Sequence, residues 1–120
     1  MSIEISERLL DDLPDALVVS DLRGVIQVWN RRAEVIFGLS KDRALGSSLD
    51  IIIPEHLRNA HWVGFHRAIE AGAVKHGDSA VRTKAMLGDG STALMDISFS
   101  LAHNEGGELI GVIALARLTS

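Results

Sequence analysis

TALMDISFSL, residues 92–101, sets Ala93, Met95, Ile97, Phe99 and Leu101 on one side of an extended chain and Leu94, Asp96, Ser98 and Ser100 on the other. A period of two with bulky apolar groups on one side predicts a strand with one buried face. Immediately before it, Gly88-Asp89-Gly90 reads as a turn and residues 79–87 as the partner strand. With all three turn residues in the loop, Leu87 pairs with Ser91, Val81, Thr83 and Ala85 share the face of Met95, and Arg82 and Lys84 point into water. A two-residue loop turns Arg82 and Met86 inward instead. The first register costs less because it buries no cation. On the far side, the polar loop HNEGGE (103–108) leads into LIGVIALA (109–116), a nearly continuous apolar strand.

The front of the chain carries a second sheet segment. ALVVS (16–20) and GVIQVWN (24–30), separated by DLRG, read as a hairpin. Between the two sheet segments the period becomes helical. Asn30 is suited to cap a helix holding Ala33, Val35, Ile36 and Phe37, which Gly38 stops. Ser40 precedes a further short turn over KDRAL, and Ser47 with Asp50 resembles a capping box before three isoleucines. PEHLRNAHWVGFHRAIEAG (54–72) then reads as one longer helix, opened by Pro54 and closed by Gly72. At about 100° per residue, Leu57, Ala60, His61, Gly64, Phe65 and Ala68 fall on one arc, Asn59 and His66 fall opposite, and His56 lies to the side. Of the chain's five histidines only His61 therefore sits on an apolar stripe, while His76 and His103 read as loop residues. At the N-terminus, residues 3–13 place Ile5, Leu9 and Leu13 on one helical stripe ended by Pro14. The expected organisation is an N-terminal capping or dimerisation helix over 1–14 and one domain over 15–120. Its class is α+β, a five-stranded antiparallel sheet with short helices and one longer helix on one face.

Composition narrows the function. A chain of 120 residues, 47% of them apolar, suits one globular domain with a modest core. A net charge of −4 without a basic block gives no electrostatic footprint for nucleic acid. No apolar run is long enough to span a bilayer and no leader pattern is present, so the expectation is a cytoplasmic domain without membrane contact. The absence of cysteine removes disulfides, thiolate metal sites and cysteine nucleophiles. Hydrolase elbows, phosphate loops and His-Glu-x-x-His zinc motifs are missing too, so the chain is not expected to be an enzyme.

Four passages together resemble the PAS domain family across essentially the whole chain: LPDALVVSDLRGVIQVWNRRAEVIFGLS, LGSSLDIIIPEH, the GDG turn with its alternating strand, and GGELIGVIALARLT. The resemblance implies a sensory and dimerisation module fused to an effector domain elsewhere in a signalling protein. One departure is that Leu118 stands where the family often has an aspartate before Thr119. Members that form a flavin–cysteine adduct or carry thioester-linked coumarate need a thiol, which this chain lacks.

Within the family, His61 resembles the proximal histidine of haem-binding members, which follows a Pro-Glu pair on this helix as His61 follows Pro54-Glu55. The resemblance implies haem b in a cleft between helix 54–71 and the sheet, with His61 on the iron, Leu57, Phe65, Ile97 and Phe99 as walls, and Met95 as candidate for the second axial position. The arginine that oxygen-sensing members carry on the facing strand corresponds here to Val81, a departure that puts carbon monoxide, nitric oxide or redox state at least level with oxygen as the signal. Two other readings stand beside this one. One is a cofactor-free module that forms a homodimer through the N-terminal helix and the sheet. The other is a domain binding a small ligand such as non-covalent flavin, for which Trp29 and Trp62 are the only tryptophans.

Overall fold

The computed structural model describes residues 5–75 and 79–119. Residues 3 and 4 of the expected N-terminal helix, His76 and Ser120 lie outside that range. The chain runs α1 (Glu7–Asp11), β1 (Ala16–Asp21), β2 (Ile26–Trp29), α2 (Arg31–Phe37), α3 (Lys41–Ala44), two 3-10 turns (Leu49–Ile52 and Glu55–Leu57), α4 (Arg58–Ala71), β3 (Val81–Met86), β4 (Thr92–His103) and β5 (Leu109–Leu118). The five strands form one antiparallel sheet in the order β2-β1-β5-β4-β3. The first and last strands thus lie side by side in its middle. Their crossing requires a glycine, because a Cβ on Gly111 would overlap the carbonyl of Ser20.

The β3–β4 hairpin has the three-residue loop. Leu87 N–H donates to Ser91 O at 2.8 Å, Thr83 lies opposite Met95 and Val81 opposite Ile97. Arg82 and Lys84 are exposed, and Arg82 meets Asp96 at 3.0 Å on the outer face. The turn docks on the end of α2 through Gly88 N–H to Phe37 O at 2.7 Å.

Inside, Val18, Ile26, Trp29, Phe37, Phe65, Met95 and Ile97 form one core between the sheet and the helices. Trp29 stacks near Phe37, with centroids 5.2 Å apart, and donates its indole N–H to Leu39 O at 3.0 Å, so its one polar atom is satisfied. Asn30, 1% exposed, organises the front of the chain. Its Oδ1 accepts from Leu17 N–H and Ala33 N–H at 2.9 and 3.0 Å, and its Nδ2 donates to Leu10 O and Asp15 O at 2.8 and 3.1 Å. One amide therefore caps α2, secures the start of β1 and ties down the end of α1.

Several boundaries differ from the sequence expectation. The N-terminal helix is a single turn and a half, and Ile5 is 78% exposed while Leu9 and Leu13 are half-buried. Ser48, not Ser47, caps the Leu49–Ile52 turn; Ser47 Oγ donates instead to Arg43 O at 2.7 Å. Pro54 precedes a 3-10 turn and not the α-helix itself, because its ψ of 140° is extended. His103 closes β4, where it is exposed.

Candidate functional site

The long helix is fixed at its N-terminal half by three neighbours. Trp62 donates its indole N–H to Asp50 Oδ1 at 2.8 Å. Arg58 donates to Ile53 O and Asp50 O at 3.0 and 3.3 Å. The Trp62 ring lies on Gly24 in the β1–β2 turn, and a Cβ there would overlap it. Gly24 has φ +81°, its carbonyl accepts from Leu49 N–H at 3.0 Å, and Asp21 Oδ1 accepts from Arg23 N–H and Val25 N–H at 2.9 and 3.0 Å to hold the turn. The Val25 amide, more than any other partner, holds the Asp21 carboxyl below the usual carboxylate range. The hairpin turn, the Leu49–Ile52 turn and α4 are therefore stacked at one end of the sheet. None of these ties follows from a stripe of apolar residues, although the placement of Asp50 near a cap was visible.

They rotate α4 relative to the sequence expectation. Phe65 is buried, Trp62 and Ile69 pack against the core, and Ala60 and Gly64, expected on the inner arc, are exposed. His61 keeps its inward position and His56, Asn59 and His66 are exposed. The His61 ring lies 4.8 Å from Trp62 and 5.9 Å from Phe65, centroid to centroid. Its Nδ1 is buried and has no hydrogen-bond partner among the described residues. Such an atom calls for an explanation, since a buried polar group without a partner costs about 1–3 kcal/mol.

Burial pushes the His61 imidazole below its ordinary value of 6.5, while the carboxylate of Asp50 opposes the shift. The ring is thus neutral at pH 7, the form that binds a metal. Because the folded value is the lower one, the unfolded chain takes up more protons as pH falls, so stability is intact above about 6.5 and declines below it. A urea midpoint followed from about pH 8 to 5 is expected to fall below 6.5 in the wild type and to flatten in His61→Phe. Equal slopes in the two proteins would remove the burial of His61 as the cause.

Phe65 on α4 and Met95, Ile97 and Phe99 on β4 belong to one apolar cluster. Leu57, at the start of α4, is half-buried and outside that cluster, so it stands at the rim. Met95 is fully buried, whereas Phe99, Val112, Ala114 and Ile69 remain half-buried. Met95 is thus the most deeply buried residue of this part of the cluster. α4 adjoins the preceding 3-10 turn and reaches the core through Trp62, Phe65 and Ile69. Two cavities lie elsewhere, one of about 120 Å³ between α1 and β2, and one of about 370 Å³ between α2 and the end of β5. No cluster of three or more His, Cys, Asp or Glu side chains occurs among the described residues, so any metal here would lean on a single imidazole.

A five-stranded antiparallel sheet covered by several short helices and one longer one defines a small α+β domain. The chain matches the family described as PAS fold over residues 5–118, and it belongs to that family. PAS domains are regulatory sensory modules, not catalysts. A PAS domain from Colwellia psychrerythraea has a similar fold, with a TM-score of 0.79 at 22% identity, covering 93% of this chain and 92% of that one. An uncharacterized protein of Azorhizobium caulinodans is 32% identical over 100 residues, which is 82% of this chain and 14% of that protein. Sensor protein FixL of Bradyrhizobium diazoefficiens is 40% identical over 53 residues, 44% of this chain and 10% of that protein. The chain spans only a small part of either relative's length. No helix among the described residues is long and apolar enough to cross a membrane.

Proposed function

We propose that this PAS domain is the sensory part of a larger signalling protein and binds haem b between α4 and the sheet, with His61 as the iron ligand. The observation that carries the reading is the buried, unpartnered Nδ1 of a neutral His61 beside an apolar wall. A lone imidazole on a hydrophobic surface is the donor set that haem uses. Haem, when bound, supplies an iron that takes up a diatomic gas or changes redox state. Phe65, Ile97 and Phe99 would exclude water from the site, Leu57 would line its rim, and Met95 would offer the iron a thioether as a second ligand. Met95 and Phe65 occupy the space between helix and sheet, so accommodating a macrocycle requires α4 to part from β4. The fit is therefore one of donor chemistry and apolar lining.

Arg82 supports a signal other than oxygen. It is held on the outer face by Asp96, and Val81 takes the inward place on β3. Carbon monoxide, nitric oxide or redox state is the corresponding input. The likeness to a protein named as a sensor is in keeping with this role. The same reading places the domain in the cytoplasm, away from membranes and nucleic acid, as a homodimer joined through α1 and the sheet and acting on an effector domain of its own full-length protein.

Titrating the purified domain with haemin tests the reading. An intense Soret band that saturates at one haem per chain is expected. A titration no different from free haemin overturns it and leaves the cofactor-free interaction module; a yellow protein as isolated points to flavin.

A further inference from the structure

At one end of the sheet's outer face, three strands and the residue just before a fourth each contribute one charge to a row running across the sheet. Arg82 on β3 lies opposite Asp96 on β4, and Asp96 lies opposite Arg117 on β5. Ala116 pairs with Ala16, which brings Asp15, just before β1, beside Arg117. Arg82 Nε meets Asp96 Oδ1 at 3.0 Å, and Arg117 meets Asp15 Oδ1 through Nε at 2.8 Å and Nη2 at 2.6 Å. The signs alternate plus, minus, plus, minus. Both arginines remain well exposed, at 60% and 63% of the side chain. A guanidinium carries five N–H donors, and each arginine uses only two of its nitrogens here, so donors remain for a further carboxylate.

The order of the row matters. Reversed end for end, it reads minus, plus, minus, plus. A two-fold axis lying in the face, parallel to the strands and between β4 and β5, performs that reversal. It sets Arg82 against Asp15 of the second copy, and Asp96 against Arg117 of the second copy, twice each. A two-fold along the row would set every charge against itself. The pattern is thus self-complementary in one orientation and repulsive in the other, which is the requirement for a closed, isologous contact.

The neighbouring rows fit the same axis. Ser98 pairs with Leu115, and Ser100 with Ile113, all on this face. The axis lays Leu115 over Ser98 and Ile113 over Ser100, large on small. Leu115 and Leu94 are 37% and 45% exposed, an apolar surface beside the charged row. Sheets packed face to face cross at about 30°, and strands lie about 4.8 Å apart, so the outermost pairs sit about 7 Å from the axis and are displaced by about 4 Å. An arginine side chain spans that displacement.

We propose that this outer face is the contact surface between two copies of the chain, with the row Arg82–Asp96–Arg117–Asp15 fixing a two-fold axis between β4 and β5. The proposal rests on the reading of the domain as a homodimer and adds the face, the axis and the pairs. It leaves the inner face to the ligand.

Sedimentation equilibrium on wild type, Arg117→Glu, the swap Asp96→Arg with Arg117→Glu, and Leu9→Asp tests it. Wild type is expected to dimerise. Arg117→Glu, which sets like charges together at two symmetric places, is expected to weaken the dimer roughly a hundredfold. The double swap, which keeps opposite charges facing across the axis but leaves Arg82 and Asp15 each beside a like charge within its own chain, is expected to recover part of that loss. A dimer untouched by Arg117→Glu but dissociated by Leu9→Asp overturns the proposed face while the homodimer stands. Wild type that stays monomeric at high micromolar concentration overturns both. Circular dichroism checks the fold; if Arg117→Glu does not fold, Arg82→Glu, at a residue whose side-chain bonds among the described residues go to Asp96, is expected to weaken the dimer, and an unchanged dimer overturns the row.

Discussion

Asn30→Ala is expected to lower folding stability by about 4 kcal/mol, a large share of the roughly 5–15 kcal/mol available to a domain of this kind. The size follows from what the amide holds. Alanine leaves the N–H groups of Leu17 and Ala33 and the carbonyls of Leu10 and Asp15 without partners, at a position only 1% exposed. An N-cap alone contributes about 1 kcal/mol, so Asn30→Ser, which can restore the bond to Ala33, is expected to recover about that much and no more. Urea denaturation of the three proteins measures the difference. A loss near 1 kcal/mol for alanine would reduce Asn30 to an ordinary helix cap.

The second large effect is expected at Gly24. Its φ of +81° excludes a β-branched residue on backbone grounds, and the Trp62 ring occupies the space that a Cβ needs. Gly24→Val therefore combines strain with overlap and is expected to cost about 3 kcal/mol or more. Displacing Trp62 also opens its bond to Asp50, so tryptophan emission is expected to shift to the red as the indole meets water. Gly46 provides the control. It has φ +83° but nothing within 4 Å of a Cβ, so Gly46→Ala carries strain alone, about 1–2 kcal/mol. Similar losses at both positions, with unchanged emission, would mean that Trp62 does not anchor α4.

These positions mark the division between what is legible in the sequence and what is not. The β3–β4 hairpin could be read residue by residue, because alternation fixes the face and a buried cation penalises the wrong loop; the outward Arg82 follows. The cap by Asn30 was equally local. Its other three bonds join residues 13 to 20 positions away and have no sequence period to announce them. The inner face of α4 is legible only in part, since histidines, alanines and glycines define its stripe weakly. Trp62, hooked on Asp50 twelve residues earlier, decides the rotation. His61 lies close enough to the middle of both arcs to face inward in either. The central adjacency of β1 and β5 also depends on long-range pairing and on the glycine at 111.

The burial of a neutral, unpartnered His61 is the centre of the functional reading, and its most direct test is one pair of spectra. Wild type and His61→Ala, each reconstituted with haem, are compared as isolated, after dithionite and after carbon monoxide. Expected are an intense Soret band in the wild type that shifts on reduction and again with the gas, and a band lost or strongly shifted in His61→Ala. Identical spectra from the two proteins would contradict His61 as the ligand, and the absence of any bound haem in the wild type would contradict the sensor itself.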